Sequence, residues 1–295
     1  MLEQLADGTH DLTIGRAPAD VVVPAEHPLG QGSLTCSLTI SGGAITHCSF
    51  AAGSNFRSDE KLLEVRDYRQ GLSLINRHNW WHPAAAEIAY AQCIEDLLGL
   101  RVPARAAAIR ELICALQGLT AELRWELAQA TLAEQSVTDI SEAIETLVAW
   151  HESVTGARVH DSCVRVGGVA NDVSIDLHSR ESIIEFCRRY PATSLWLDQL
   201  MAAYNALQEP GPISVQLPKV LRVPVGTAFY TIKSFTGEVG VWLHSDGGKS
   251  PLRVSLRAPS IISLAKLAQS APSSTITEFF DELLTTRMCL GEIER

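Results

Sequence analysis

Two helical patterns meet at a short polar and aromatic junction within the stretch from Asp59 to Arg110, and this arrangement constrains the fold more than any other feature. The first pattern has apolar residues at three- and four-residue steps, which is typical of a helix with one buried face. These residues are Leu62, Val65, Tyr68, Leu72 and Ile75. The second pattern begins at Pro83 and ends at Gly99, which suit the start and the end of a helix.

The junction between the two helices runs from Arg77 to His82 and contains adjacent tryptophans. A residue before proline is disfavoured in helical conformation, so we predict that His82 lies outside both helices. His78 and His82 have the spacing of a metal-binding pair on a helix, but the predicted turn separates them and no acidic or cysteine ligand follows. A structural role for these histidines is therefore favoured over metal binding.

The remaining chain predicts one α+β domain spanning residues 1–295, with a helical bundle and small antiparallel sheets. Its predicted parts are a β-hairpin region at 27–56, a helical core at 59–208, antiparallel strands at 210–260 and a C-terminal helical segment at 261–295. Within the core, an apolar stripe from Ile109 to Leu127 predicts a long helix with Arg, Glu and Gln on its other side.

Composition limits the classes of function. The formal charge of −10 argues against a nucleic-acid interface and against direct adhesion to anionic lipid, because both require clustered Lys and Arg. No apolar stretch reaches the length of a membrane span. The seven cysteines include no CxxC pair and predict reduced, mostly buried thiols in the cytoplasm. No glycine-rich stretch matches a nucleotide-binding loop, and no hydrolytic triad can be proposed from spacing.

An ordered series of short motifs resembles the D-type, quinone-site subunit of respiratory complex I, the NADH–quinone oxidoreductase, which is itself similar to the large subunit of nickel–iron hydrogenases. The motifs are Glu60-Lys61, Glu64-x-Arg66-x-Tyr68-x-Gln70, Arg77, Ala89-Tyr90-Ala91, Leu97-Leu98-Gly99, Val102-Pro103-x-Arg105-Ala106, Arg165-Val-Gly-Gly-Val169, Ser245-Asp-Gly-Gly-Lys-Ser-Pro251 and Gly291-Glu-Ile-Glu-Arg295. The resemblance covers most of the chain from His27 onwards.

This resemblance implies the fold of the D-type subunit and a place in a complex I-like electron-transfer complex, between a small iron–sulfur subunit and a quinone-type site. It implies that the chain is not catalytic alone, that NADH binds to another subunit, and that the partner subunits hold the chain on the inner face of the cell membrane. The alternative is a non-catalytic paralogue that keeps the fold as a structural or assembly subunit.

Several positions depart from the family pattern. Asn79 and His82 occupy positions where hydrogenases have metal-binding cysteines, so we expect no metal in this chain. Gln31 and Trp80 replace a His and a Tyr that the family uses at the quinone headgroup, so we expect weak quinone binding. Arg77 and His160 match an Arg and a His that face the partner's iron–sulfur cluster. The segment between Val169 and Pro210 is also shorter than in the family.

Overall fold

The computed structural model describes residues 7–14, 22–23, 34–53, 56–132, 137–173, 181–182, 184–186 and 195–294. Contacts divide the chain into two compact units. The first comprises residues 1–58, 236–238 and 258–295, and the second comprises residues 59–235 and 239–257. The expectation of a single domain stays a prediction.

The second unit is built on helices, with α4 at its centre. Its helices are α1 (Asp59–Glu64), α2 (Tyr68–Ile75), α3 (Pro83–Leu98), α4 (Ala104–Leu132), α5 (Thr138–Thr155) and α6 (Leu195–Ala206). Helix α4 packs against α3, α5 and α6, and α3 also packs against strand β7 of the sheet described next. The predicted start and end of α3 are confirmed, because His82 has a non-helical φ of −143° and Gly99 ends the helix in the left-handed region at φ 63°.

Small antiparallel sheets accompany these helices. They contain β5 (Val164–Arg165), β6 (Gly168–Val169), β7 (Gly226–Ser234), β8 (Gly237–Ser245) and β9 (Arg253–Arg257), with β8 between β7 and β9. Strands β8 and β9 are antiparallel, and Val241 lies opposite Leu256. The strands that the sequence predicts after Pro210 are therefore present, and the α+β fold class is confirmed.

The first unit contains a four-stranded sheet in the order β2-β1-β3-β4. The strands are β1 (Gly8–Ile14), β2 (Val22–Val23), β3 (Leu34–Ser41) and β4 (Ala44–Ala52). Gly42 and Gly43 turn the predicted β3–β4 hairpin with φ values of 60° and 80°, a backbone region that glycine adopts without strain. The same unit contains α7 (Pro259–Ser270), α8 (Ile276–Thr285) and α9 (Leu290–Ile293).

Two buried glutamates hold the first unit together. The Glu292 carboxylate accepts hydrogen bonds from the backbone N–H of Ser260, at 3.0 Å, and from Thr236 Oγ1, at 2.9 Å, and the Ser260 hydroxyl also donates to it. Ser260 lies in the first turn of α7, whose N-cap residue provides no side-chain hydrogen bond, so Glu292 caps that helix. Glu294 Oε1 accepts a hydrogen bond of 2.7 Å from the backbone of Gly53, just beyond β4.

The first helical pattern is two helices and not one, which corrects the prediction. The chain leaves the helix after Glu64, and Val65 is 72% exposed. Asp67 then caps α2 by accepting a hydrogen bond of 2.9 Å from the backbone of Arg69. Helix α1 is fixed instead to β9, because the backbone N–H of Leu256 donates to Glu60 at 2.9 Å. Capping and sheet contacts therefore override the apolar periodicity.

The expected polar face of the long helix α4 is also partly wrong. Arg110 and Gln117 are buried, because neighbouring elements cover α4 on more than one side. Arg110 forms an ion pair with the buried Glu95, with N–O distances of 2.6 and 3.0 Å, and also donates to backbone carbonyls at Arg165 and Gly168. A buried charge is tolerated when it is paired in this way.

Candidate functional site

The junction before α3 combines buried and accessible side chains. His78, Asn79 and His82 are fully buried, whereas Trp80 is half-buried and Arg77 is exposed. The two positions that correspond to hydrogenase metal ligands therefore lie inside the second unit. Trp80 and Arg77 remain accessible.

Asn79 organises the turn into α3. Its Oδ1 accepts hydrogen bonds from the backbone N–H groups of Trp81 and His82, at 3.0 and 2.9 Å. Asparagine commonly stabilises turns in this way, because its side-chain oxygen mimics a backbone acceptor. Asn79 thus has a structural role at a position where hydrogenases have a cysteine.

His82 is a neutral core histidine. Its Nδ1 accepts a hydrogen bond from the backbone of Phe235 at 3.2 Å, so the proton lies on Nε2, which donates to the backbone carbonyl of Cys114 at 2.9 Å. The ring also packs edge-on against Trp196. Burial lowers the pKa of His82 to about 4, opposed by the bond to Cys114. Both ring nitrogens are engaged, so His82 offers no free ligand atom.

No group of three or more His, Cys, Asp or Glu side chains that could hold a metal ion occurs in the part of the chain that the structure describes. The six cysteines among these residues are buried, free thiols, as the sequence predicts. Cys187 lies outside the described residues.

The side chain of Asn76 binds both Arg77 and His160. Arg77 Nη1 donates to Asn76 Oδ1 at 2.5 Å, and His160 Nδ1 donates to the same oxygen at 2.8 Å. Asn76 is held in turn by its Nδ2, which donates to the backbone carbonyl of Asp161 at 3.1 Å. The structure therefore brings together two residues that the sequence analysis paired only through a family resemblance, and it adds Asn76, which the sequence did not single out.

A buried polar network continues from Asp161. Its Oδ2 accepts hydrogen bonds from His151 Nε2 and Gln117 Nε2, both at 3.0 Å, and its Oδ1 accepts one from the backbone of Cys163. Gln117 Oε1 also accepts a bond from the backbone of Ala84 at 2.7 Å, which ties the network to the start of α3. No sequence motif marks these residues, because they come from separate elements.

Glu87 on α3 is a buried acid beside this network. Its Oε2 has no hydrogen-bond partner among the described residues. Burial raises the pKa of Glu87 well above its usual value, and Asp161 raises it further, while Asn76, Arg165 and Arg77 act in the opposite direction. The protonated carboxyl is therefore favoured at this position.

A cleft of about 300 Å3, open solvent included, lies beside the junction. Its walls come from the junction, α3, α4, α5 and the segment after α5. The lining residues are Trp80, Trp81, Pro83, Gln117, Thr120, Arg124, Val148, His151, Arg158 and Val159. Gln31 lies outside the described residues, so its predicted convergence with Trp80 stays a prediction.

Comparisons with known proteins find D-type subunits of NADH-quinone oxidoreductases among the relatives. A family model described as respiratory-chain NADH dehydrogenase, 49 Kd subunit, matches residues 214–295. The NADH-quinone oxidoreductase D 2 subunit of Salinispora arenicola (strain CNS-205) is 26% identical over 355 residues, covering 92% of this chain and 92% of the relative. The chain is thus similar to a D-type subunit over most of its length. The corresponding subunit of Anaplasma phagocytophilum (strain HZ) is 32% identical over 186 residues, covering 62% of this chain and 47% of that relative.

A solved structure shares the fold of this chain. A chain of the membrane-bound sulfane sulfur reductase, an archaeal respiratory membrane complex, superposes with a TM-score of 0.75 at 22% identity and covers 89% of this chain and 94% of that chain. The alignment with the Salinispora relative is longer than the 295 residues of this chain, so this chain is shortened relative to it. No described helix is long and apolar enough to cross a membrane.

Proposed function

We propose that this chain is a subunit of a complex I-like, membrane-associated electron-transfer complex. The named relatives are D-type subunits of NADH–quinone oxidoreductases, which supports this role over that of a non-catalytic structural paralogue. The observation that carries the proposal is the pair Arg77 and His160, both held by the oxygen of the buried Asn76. The chain takes part in electron transfer only within the assembled complex, and its partners hold it at the inner face of the membrane.

In this proposal, one face of the chain lies towards an iron–sulfur cluster in a small partner subunit. That face is formed by Arg77, Asn76 and His160. Arg77 is exposed and His160 is half-buried, so both can present N–H groups to a neighbouring chain. Hydrogen bonds and positive charge near cluster sulfurs raise a cluster's reduction potential. Asn76 is a positioning residue in this arrangement, because it fixes the orientation of both side chains.

The quinone headgroup position is altered by Trp80. An indole is larger than the phenol that the family has there, and it offers one donor without an acidic hydroxyl. We therefore propose that neutral quinones bind weakly. The double substitution Gln31→His with Trp80→Tyr should strengthen the binding of a soluble quinone, measured by titration. Tight binding by the natural sequence that the double substitution leaves unchanged would contradict this proposal.

The central test is purification of the tagged chain from cells that also express the proteins encoded beside it. We expect an iron–sulfur subunit to copurify and its cluster to be visible by electron paramagnetic resonance. Asn76→Ala and Arg77→Gln should lower the midpoint potential of that cluster. Arg77→Lys should lower the potential less than Arg77→Gln does. Asn205→Ala, at an exposed position on α6, is the matched control for Asn76→Ala.

Two outcomes separate the parts of this proposal. If the chain purifies without any iron–sulfur subunit, its role in an electron-transfer complex is wrong. If the complex forms but its midpoint potentials are the same in Asn76→Ala, Arg77→Gln and Asn205→Ala, the cluster lies elsewhere and only the assignment of this face is wrong.

A further inference from the structure

The second unit exposes basic and apolar side chains together around the loop that joins β8 to β9. Residues 210–237 contain no Asp or Glu, although the whole chain has a formal charge of −10. Four apolar side chains in or beside this surface are each more than half exposed, and they are Val65, Val220, Val225 and Leu252. Exposed apolar side chains that occur together and are surrounded by polar residues mark interaction surfaces.

Hydrogen bonds hold three segments of the chain together at this surface. The buried hydroxyl of Tyr68 donates to Ser245 Oγ at 2.8 Å, and Ser245 Oγ donates to the backbone carbonyl of Val223 at 2.8 Å. The backbone N–H of Tyr68 also donates to the carbonyl of Lys249 at 3.4 Å. The start of α2, the segment before β7 and the β8–β9 loop are therefore fixed beside one another.

The cations of this surface outnumber its carboxylates. Six Lys and Arg residues and two acids occur in its three segments, which are residues 65–69, 218–225 and 246–253. Both acids have local structural roles, because Asp67 caps α2 and Asp246 accepts a hydrogen bond of 2.9 Å from the backbone of Gly248. Of the six cations, Arg253 is compensated by Glu64 at 3.3 Å.

Four exposed cations remain for an anionic partner, and they are Arg66, Lys219, Arg222 and Lys249. None of the four forms an ion pair with any residue that the structure describes. No side-chain hydrogen bond to a described residue fixes them either, which suits a fluid layer of phosphate groups better than a single rigid ligand. These four cations and the four exposed apolar side chains are called the basic patch.

We propose that the basic patch binds directly to the surface of a bilayer that contains anionic phospholipid. Clustered Lys and Arg side chains attract such a surface, and neighbouring apolar side chains enter the boundary between headgroups and acyl chains. The net charge of the chain predicts repulsion, but at 0.1 M salt charges farther away than about 10 Å are largely screened, so the local charge decides. The inference rests on the proposed function in one respect, because it gives a subunit of a membrane-associated complex its own contact with the membrane.

The test is cosedimentation of the full chain with vesicles at about 0.1 M salt. One set of vesicles contains phosphatidylcholine alone, and the other also contains about one third phosphatidylglycerol. We expect at least about tenfold tighter binding to the anionic vesicles. Lys219→Gln with Lys249→Gln should weaken this binding by roughly 30-fold, because each cation near the bilayer contributes about fivefold. Lys233→Gln with Lys266→Gln is the matched control, because it removes the same charge at exposed positions outside the basic patch.

Two further measurements separate charge from apolar contact. Val225→Ser with Leu252→Ser should weaken binding to the anionic vesicles severalfold, because it removes the apolar side chains and leaves every cation in place. Raising the salt concentration to 1 M should release the natural chain, because the screening length then falls to about 3 Å. Should the Lys219 and Lys249 variant fail to fold, as judged by circular dichroism, Arg66→Gln with Arg222→Gln decides in its place.

Absence of binding to the anionic vesicles, equal binding to both kinds of vesicle, or equal weakening by the two lysine pairs would overturn the proposal. Absence of vesicle binding together with protection of Lys249 from acetylation in the purified complex would overturn it in favour of a protein partner at the basic patch. Failure of the iron–sulfur subunit to copurify would refute the role in electron transfer and leave the vesicle result intact.

Discussion

At the residue scale, His82 makes stability depend on pH. Burial lowers its pKa to about 4 in the folded state, whereas an unfolded histidine titrates near about 6.5. Between these values the unfolded chain binds a proton that the folded chain does not, so the free energy of unfolding falls as the pH falls. The expected slope is at most about 1.4 kcal/mol per pH unit.

Urea denaturation at a series of pH values from 7 to 4 checks this expectation. His82→Gln should be destabilised at pH 7, because it loses the bonds to Phe235 and Cys114, and its deficit relative to the natural chain should shrink as the pH falls. His47→Gln, at an exposed position, should keep the full pH dependence. A deficit for His82→Gln that stays constant with pH would show that His82 is not the titrating group.

Glu87 makes the stability of the chain depend on pH in the opposite direction to His82. Its pKa is raised in the folded state, so above the unfolded pKa the folded chain binds the extra proton and stability falls as the pH rises. Glu87→Gln keeps the shape without the charge, so we expect it to raise the free energy of unfolding at pH 8 by about 1–3 kcal/mol and by less at pH 5. Denaturation of Glu87→Gln and of the exposed control Glu142→Gln measures this, and equal effects at both pH values would contradict it.

At the element scale, α2 packs tightly against α3 where Gly71 faces Tyr90. A Cβ atom added at Gly71 would lie 2.3 Å from the hydroxyl of Tyr90, which is fully buried and cannot move aside cheaply. Alanine normally stabilises a helix interior relative to glycine, but here the clash is larger than that gain. We expect Gly71→Ala to lower the free energy of unfolding by about 1–3 kcal/mol.

A double-mutant cycle tests whether the contact with the Tyr90 hydroxyl causes the expected loss of stability in Gly71→Ala. The Tyr90 hydroxyl has no hydrogen-bond partner among the described residues, so Tyr90→Phe should cost little stability and should reduce the penalty of Gly71→Ala. If the penalty of Gly71→Ala is the same in the Tyr90→Phe background, the contact with the hydroxyl does not determine the packing of α2 on α3.

The elements that the sequence predicts correctly are those with strong local signals. Pro83 and Gly99 bound α3, and Gly42 and Gly43 turn the β3–β4 hairpin. The break between α1 and α2 has a weaker signal, because the apolar spacing continues through Val65 while Asp67 caps α2 and β9 holds α1. Local chemistry thus predicts element boundaries where capping is decisive, and fails where a distant strand sets them.

At the scale of the whole molecule, the candidate site could be predicted only in part. The sequence singled out Arg77, Trp80 and His160 through a family resemblance, but not Asn76, which joins two of them across 84 positions.

The first unit depends on Glu292. Its carboxylate bonds to Ser260 and Thr236 while fully buried, so Glu292→Gln should lower the stability of this unit by about 1–3 kcal/mol through the loss of charge-assisted bonds. Hydrogen exchange followed by mass spectrometry should show faster exchange in α7, with α3 unchanged. Asp281→Asn, at an exposed position on α8, is the control, and similar exchange in both variants would contradict this role.

The bond from Gly53 to Glu294 also has a consequence for synthesis on the ribosome. The two residues are 241 positions apart, and the whole of the second unit is translated between them. Strands β3 and β4 therefore emerge long before the helices that complete their unit, while the intervening residues already have their own partners. The nascent sheet must therefore wait with an apolar face uncovered, so we expect a chaperone to protect this hairpin during translation.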